Sequence, residues 1–338
     1  MPAFDIEQPG VLVTWLHDQG KIDPGEAPRV TVLAGGVSNR TVLVERSSGE
    51  AWVVKQALEK LRVQVDWFSS PERIHREALG IRWLTELAPP GTITPFVFED
   101  QLRSSPGHAG RAATPSGTGN RCCSGAISTL VTPISSQFSS ARFTGNPRAG
   151  AMNSSRYSAT AASSKTSRLE PYYEYAASQV PESSAFYAAL LSETRAISQT
   201  IVHGDYSPKN VLVYDGRLIL LDHEVIHFGD PGFDLGFALT HLISKAHHLP
   251  EYRSGFANAA NDFWNRYEQT VSGCEWADDR SRAPSATPRL FAGASLWTLD
   301  PEYLDGVERT RQRRIVLELM QAPPVSVSGL VTGFIDRL

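Results

Sequence analysis

The chain has 338 residues, 41% of them hydrophobic, enough for one large domain or two ordinary ones with a buried core. A net charge of −4 argues against non-specific nucleic-acid binding, which needs a basic face, and no run approaches the ~18–20 apolar residues of a membrane span; the expected partner is a small molecule, with no nucleic acid and no membrane. The opening "MPAFDIEQPG" lacks the basic and apolar parts of a signal peptide, which points to the cytoplasm, and Cys122, Cys123 and Cys274 have the spacing of neither a disulfide framework nor a zinc site.

In chain order, "RVTVLAGGVSNRTVLVERSSGEAWVVKQAL" predicts three strands, with β-branched runs interrupted at Gly35-Gly36 and Ser48-Gly49. The first turn holds Gly35, Gly36, Ser38 and Asn39, so backbone N–H groups could cover a phosphate with no side chain intervening. A Gly-Gly turn alone is equally a plain hairpin. Lys55 follows on a strand rich in valine, where a buried ammonium requires a carboxylate or phosphate partner, or else snorkels from an edge. "SPERIHREALGIRWLTELA" predicts a helix capped by Ser70 with Pro71 at its first position. That helix offers Glu77 as a partner for Lys55, with Glu72 and Glu86 as alternatives. "ITPFVFED" predicts one more strand.

The pattern then collapses. Residues 101–169 contain seven Arg, one Lys and no Asp or Glu, so this segment carries +8 against −12 for the remainder. Fifteen Ser and ten Ala fall in the same stretch, no hydrophobic period persists, and the expectation is an unstructured segment. A shorter window at about 280–300 has the same texture. Both resemble a GC-rich coding region translated in the wrong frame. The hypothesis of two compensated frameshifts is tested by resequencing: it fails if no other frame encodes an acidic, helix-rich segment.

Order resumes near Leu169. "SSAFYAALLSETRAISQ" predicts a helix with Phe186, Leu190 and Ile197 towards one face. "VHGDYSPKNVL" then places Asp205 and Asn210 in a short loop before a strand. A carboxylate there can accept a proton from a hydroxyl, and an amide oxygen can bind a divalent cation. After the strand pair "NVLVYDGRLILLD", Asp222 offers a second hard oxygen, and Glu224 two residues on is expected on the same side. Further helices follow in "DPGFDLGFALTHLISKA", "ANAANDFWNRYEQTV" and "PEYLDGVERTRQRRIVLELMQ". The aromatics of "FWNRY" could line a pocket or lie in a core, and Asp262, Glu268, Glu275, Asp278 and Asp279 offer acid for a cationic substrate or a solvated face.

"HGDYSPKN", "LLDHEV" and "GDPGFDLG", preceded by "GGVSN", Lys55 and Glu77 in the right order, resemble the aminoglycoside phosphotransferase and choline kinase superfamily over roughly half the chain. The resemblance implies an α+β, two-lobed protein-kinase-like fold: a small β-rich N-lobe (1–100), the aberrant segment (101–169), and a larger helical C-lobe (170–338). It implies ATP and Mg2+ as cofactors and phosphorylation of a small-molecule hydroxyl. Asp205 would then be the catalytic base, Asn210 and Asp222 magnesium ligands, and Lys55, paired with Glu77, a contact to the ATP phosphates under the Gly35, Gly36, Ser38, Asn39 turn. Glu224 would add a metal or neighbouring contact, His203 would brace the loop, and Asp234 would anchor the helix start. The family's hinge strand for adenine is not legible in residues 101–169, so a remnant or binding protein that has lost catalysis is the competing reading. A protein kinase is disfavoured by Gly204, where those enzymes carry Arg, and by the short link from Asp222 to "GDPGFDLG". Substrate identity and oligomeric state are not encoded legibly.

Overall fold

The structure, a computed structural model, describes residues 4–34, 36–62, 66–100, 108–111, 173–197, 200–214, 217–271 and 303–338. Gly35, Glu275, Asp278, Asp279, the window at about 280–300 and all of the segment 101–169 except 108–111 lie outside them. The chain divides into two compact units: Met1–Glu86 with Ile93–Thr118 and Leu221–Glu224, and the remainder.

The first unit opens with a helix absent from the sequence expectation, α1 (Pro9–Asp18), which starts at a proline and buries Leu12, Trp15 and Leu16. Pro at the first position and this i, i+3, i+4 spacing are the signals that mark it. Strands β1 (Arg29–Val32), β2 (Asn39–Glu45) and β3 (Ala51–Ala57) form an antiparallel meander, with Val42 opposite Val54 and Thr41 opposite Lys55. Val42, Val44, Trp52 and Val54 pack with Leu12, Trp15, Leu16 and Phe98 as the core of this unit. Helix α2 (Arg73–Leu87) begins after Pro71 rather than at it. Residues 70–73 form the preceding turn, in which the Ser70 and Pro71 carbonyls accept from the Arg73 and Ile74 N–H groups at 3.3 and 3.2 Å.

A fourth strand corrects the expectation for one piece of the serine-rich segment. β4 (His108–Arg111) pairs antiparallel with β3, His108 opposite Lys55. Pairing along a sheet edge uses backbone groups, so "HAGR" joins the sheet although its side chains carry no strand pattern.

In the second unit residues 173–179 are helical, and α3 (Ser184–Ala196) follows. Its buried face is Tyr187, Leu190, Leu191 and Thr194, one position round from the expected Phe186 stripe. Tyr187 goes inward because its ring meets that of Tyr173, centroids 5.3 Å apart. Two ribbons come next: β5 (Thr200–Val202) pairs with β8 (His227–Gly229), and β6 (Val211–Tyr214) with β7 (Arg217–Leu220). Helices α4 (Gly232–His248), α5 (Arg253–Val271), α6 (Gly306–Gln321) and α7 (Val327–Ile335) pack on one another around the second core. Phe263, Trp264 and Tyr267 are buried in it. No helix among the described residues is long and apolar enough to cross a membrane.

Candidate active site

In the first unit, strand alternation puts Lys55 on the face opposite the Trp52 and Val54 core. Its Nζ lies 2.6 Å from Glu77 Oε1 and 3.0 Å from Asp222 Oδ1. Of the three glutamates offered, Glu77 takes the inward face of α2, while Glu72 and Glu86 are exposed. Burial alone would discharge the lysine, but Asp222, Glu77 and Glu224 outweigh it and raise its pKa above the usual lysine range. Burial pushes Glu77 up to about 7 against the pull of Lys55, with Asp222 and Glu224 adding to the rise. Several carboxylates thus converge on one ammonium, an arrangement suited to recruiting a further cation.

Asp222 sits at φ 65°, a left-handed conformation that costs a non-glycine residue about 1–2 kcal/mol. Such strain persists where neighbours over-determine it, and the Lys55 contact does so here. The strand-like spacing expected for Glu224 is not found. Residues 221–223 have no regular structure and 224–225 turn. Glu224, 1% exposed, accepts from Asn39 Nδ2 at 2.9 Å and from Arg73 Nε at 3.3 Å through the same Oε2 atom. As placed, Glu224 braces its own segment against the first turn of the sheet.

That turn is tightly drawn. A Cβ on Gly36 would run into the Asn39 carbonyl, so glycine is needed there for closeness of backbone to backbone. The Ser38 carbonyl accepts from the Leu58 N–H at 2.9 Å. Asn39, grouped from sequence with the phosphate-covering residues, is 3% exposed and turns its amide inward to Glu224.

The second unit holds the loop between β5 and β6. Its entry is fixed by Asp234, in the first turn of α4, whose carboxylate accepts from the His203 N–H at 2.7 Å and the Gly204 N–H at 2.9 Å. Burial raises the Asp234 pKa, and these donors with the His203 ring oppose that rise. Gly204 sits at φ 82°, and a Cβ would fall 2.9 Å from the Val225 carbonyl. Only glycine meets both demands, which explains the glycine where a longer residue would otherwise be accommodated. His203 Nδ1 accepts from the Asp205 N–H at 3.3 Å. Asp205 is 2% exposed, and its carbonyl takes the Asn210 Nδ2 at 2.8 Å. That bond occupies the amide nitrogen and leaves Asn210 Oδ1 as the group for a cation.

Three residues escaped sequence reasoning. Lys209 Nζ lies 3.2 Å from Asp205 Oδ2, and the four-residue separation inside the motif was the available signal. His241 on α4 has its pKa lowered to about 4 by burial, with Asp205 as the opposing charge; nothing in sequence links it to the loop. Arg73, 4% exposed, begins α2, where the helix dipole disfavours a cation. A positive charge in that unfavourable position is a sign that it serves another partner.

The profile of the phosphotransferase enzyme family matches residues 137–272, so the match begins inside the serine-rich segment. A search of the curated proteins returned no match. Among solved structures, the chain is similar to an amicoumacin kinase in complex with AMP-PNP and Ca2+ (13% identity, 93% of this chain and 94% of that one, TM-score 0.57). It is also similar to a choline kinase from Cryptosporidium parvum (12%, 97% and 99%, 0.54) and to an aminoglycoside-3'-phosphotransferase of type VIII (15%, 86% and 97%, 0.51). At these identities the likeness establishes the kinase-like fold.

Proposed function

We propose that this chain, whose residues 137–272 match the profile of the phosphotransferase enzyme family, transfers the γ-phosphoryl group of ATP to a hydroxyl of a small molecule. The observation that carries the proposal is the Asp205 loop. The backbone carrying a buried aspartate is held by Asn210 and, through His203 and Gly204, by Asp234, its carboxylate lies 3.2 Å from the largely exposed Lys209, and an amide side chain is oriented five residues away. That is the equipment for orienting a hydroxyl and accepting its proton.

Asn210 in the second unit and Asp222 in the first each carry a hard oxygen of the kind magnesium takes, and magnesium takes few protein ligands, completing its shell with water and phosphate. Among the described residues no group of three or more His, Cys, Asp or Glu forms a ready-made metal cage, which this mode of binding does not require. When bound, the ion would disperse charge on the transferring phosphoryl group. Lys55, kept protonated by Glu77 and Asp222, would add its charge to the phosphates, and Asp205 would hold the acceptor oxygen in line.

Two neighbours named for antibiotics and one named for choline support a hydroxylated acceptor as the class to test. The experiment is ATP turnover against a panel of aminoglycosides, amino alcohols and sugars, with and without magnesium. A magnesium-dependent thermal shift with ATP, lost in Asp222→Ala, is the expected companion result. Absence of both turnover and nucleotide binding would overturn the reading in favour of a remnant protein.

A further inference from the structure

Resting on that reading, we propose that Arg73 is a positioning residue that locks the turn at Gly36–Asn39 and the Asp222–Glu224 segment in register, preparing the first unit to receive a magnesium nucleotide. The guanidinium is 4% exposed. Its Nε donates to Glu224 Oε2 at 3.3 Å, and its Nη1 to the Ser69 and Ser70 carbonyls, both at 3.0 Å. Its Nη2 donates to the Leu58 carbonyl at 2.7 Å and to that of Ser38. A guanidinium has five N–H donors in a rigid fork, and these five acceptors use all of them.

The acceptors come from four stretches: the turn before β2, the end of β3, the residues leading into α2, and the segment after β7. Lysine cannot replace this geometry, since an ammonium offers three donors from one point. The link to Glu224 extends further, because the same Oε2 atom accepts from Asn39 at 2.9 Å. Asp222, two residues before Glu224, is thereby set in its left-handed conformation with its carboxylate 3.0 Å from Lys55. One side chain therefore governs both the turn expected over the phosphates and the carboxylate expected on the metal.

Arg73→Lys in the full chain tests this, with Glu224→Gln as the milder second variant. In the protein without nucleotide, exchange of the Leu58 and Arg62 amide hydrogens, which donate to the Ser38 and Val37 carbonyls, should quicken about tenfold, while Val42 and Val44 stay protected. By calorimetry the Mg-ADP dissociation constant should rise about tenfold, the worth of one charge-assisted hydrogen bond. In turnover, the KM for Mg-ATP should rise with the acceptor KM unchanged, a split that general destabilisation would not produce. Unchanged exchange and unchanged Mg-ADP affinity in the variants overturn the proposal; if Arg73→Lys does not fold, Glu224→Gln decides. A wild-type chain that binds no magnesium nucleotide instead overturns the phosphotransferase reading, and the exchange measurement still judges the clamp.

Discussion

The two sets of candidate residues, one in each unit, are held in opposite ways. The loop of Asp205, His203 and Asn210 is fixed through its backbone: the Asn210 amide donates to the Asp205 carbonyl, the Asp205 N–H to His203, and the His203 and Gly204 N–H groups to Asp234, 31 and 30 positions on. Lys55, Glu77, Asp222 and Glu224 are fixed by side chains reaching across 22 to 185 positions of sequence. The loop's shape rests on hydrogen bonds to backbone, with Lys209 3.2 Å from the Asp205 carboxylate, whereas the network is a buried group of several charges that must balance one another. A loop of the first kind keeps its shape as charge moves through it, while a network of the second kind responds to any added cation.

The strongest test of that division is Asp205→Asn. If the loop supplies the base and the network the nucleotide contacts, turnover should fall about 10³-fold, within the usual worth of a general base, with Mg-ADP affinity by calorimetry unchanged. Loss of nucleotide binding in this variant would erase the division. Next comes Asp234→Ala, which leaves two loop N–H groups without their acceptor. A cost of roughly 2–5 kcal/mol is expected for two orphaned donors, visible in urea unfolding. A change under about 1 kcal/mol would mean that water replaces the carboxylate and the loop is not fixed from α4.

The same contrast explains what was legible in the sequence. The loop residues lie within eight positions and needed no tertiary partner to be recognised, so "HGDYSPKN" carried them. Lys55 and Glu77 were found through the strand and helix that bear them, and the choice among Glu72, Glu77 and Glu86 was settled by which one the helix turns inward. Arg73 was invisible because four of its five acceptors are carbonyls, which every residue possesses. The kinase-like fold was legible from the order of these motifs. The α1 helix and the β4 strand were not, the first because a ten-residue helix with three buried side chains leaves little more than an N-terminal proline to mark it, the second because edge pairing reads backbone rather than side chain. Asp222's conformation also left no trace, since a left-handed aspartate is chosen by its neighbours and not by its own propensity.

A third measurement probes the network through protons. With its pKa raised to about 7 from the ordinary 4.5, Glu77 binds a proton more tightly in the folded state than in the unfolded one. Its contribution to stability is therefore fully present below pH 4.5 and is lost as pH rises to about 7. Glu77→Gln, which mimics the protonated form, should flatten this part of the curve of unfolding free energy against pH. Magnesium ion should act in the same direction in the wild type, by drawing the proton off through added positive charge. An identical slope in the variant would show that Glu77 is ionised throughout and that the network carries no proton to release.

The smallest effect is expected at an ion pair in the same unit that belongs to neither set. Arg46 forms a fork on Glu26, Nε to Oε1 at 2.9 Å and Nη2 to Oε2 at 2.7 Å, and its guanidinium lies over the Trp52 ring at 4.7 Å. Arg46 holds the Glu26 pKa down at about 2, so here the sign is reversed: stability is present above the unfolded value near 4.5 and is lost as pH falls towards 2. Glu26→Gln should cost about 1 kcal/mol at pH 7, the scale of a well-formed partly exposed pair, and the difference from wild type should vanish in acid. Set beside Glu77→Gln, this gives two carboxylates of one unit with opposite pH slopes. Burial, with a second carboxylate on the same lysine, pushes Glu77 towards protonation, and a guanidinium of its own pushes Glu26 towards charge. If both variants moved the curve in the same direction, burial and the neighbouring Asp222 and Glu224 would not be what raises Glu77.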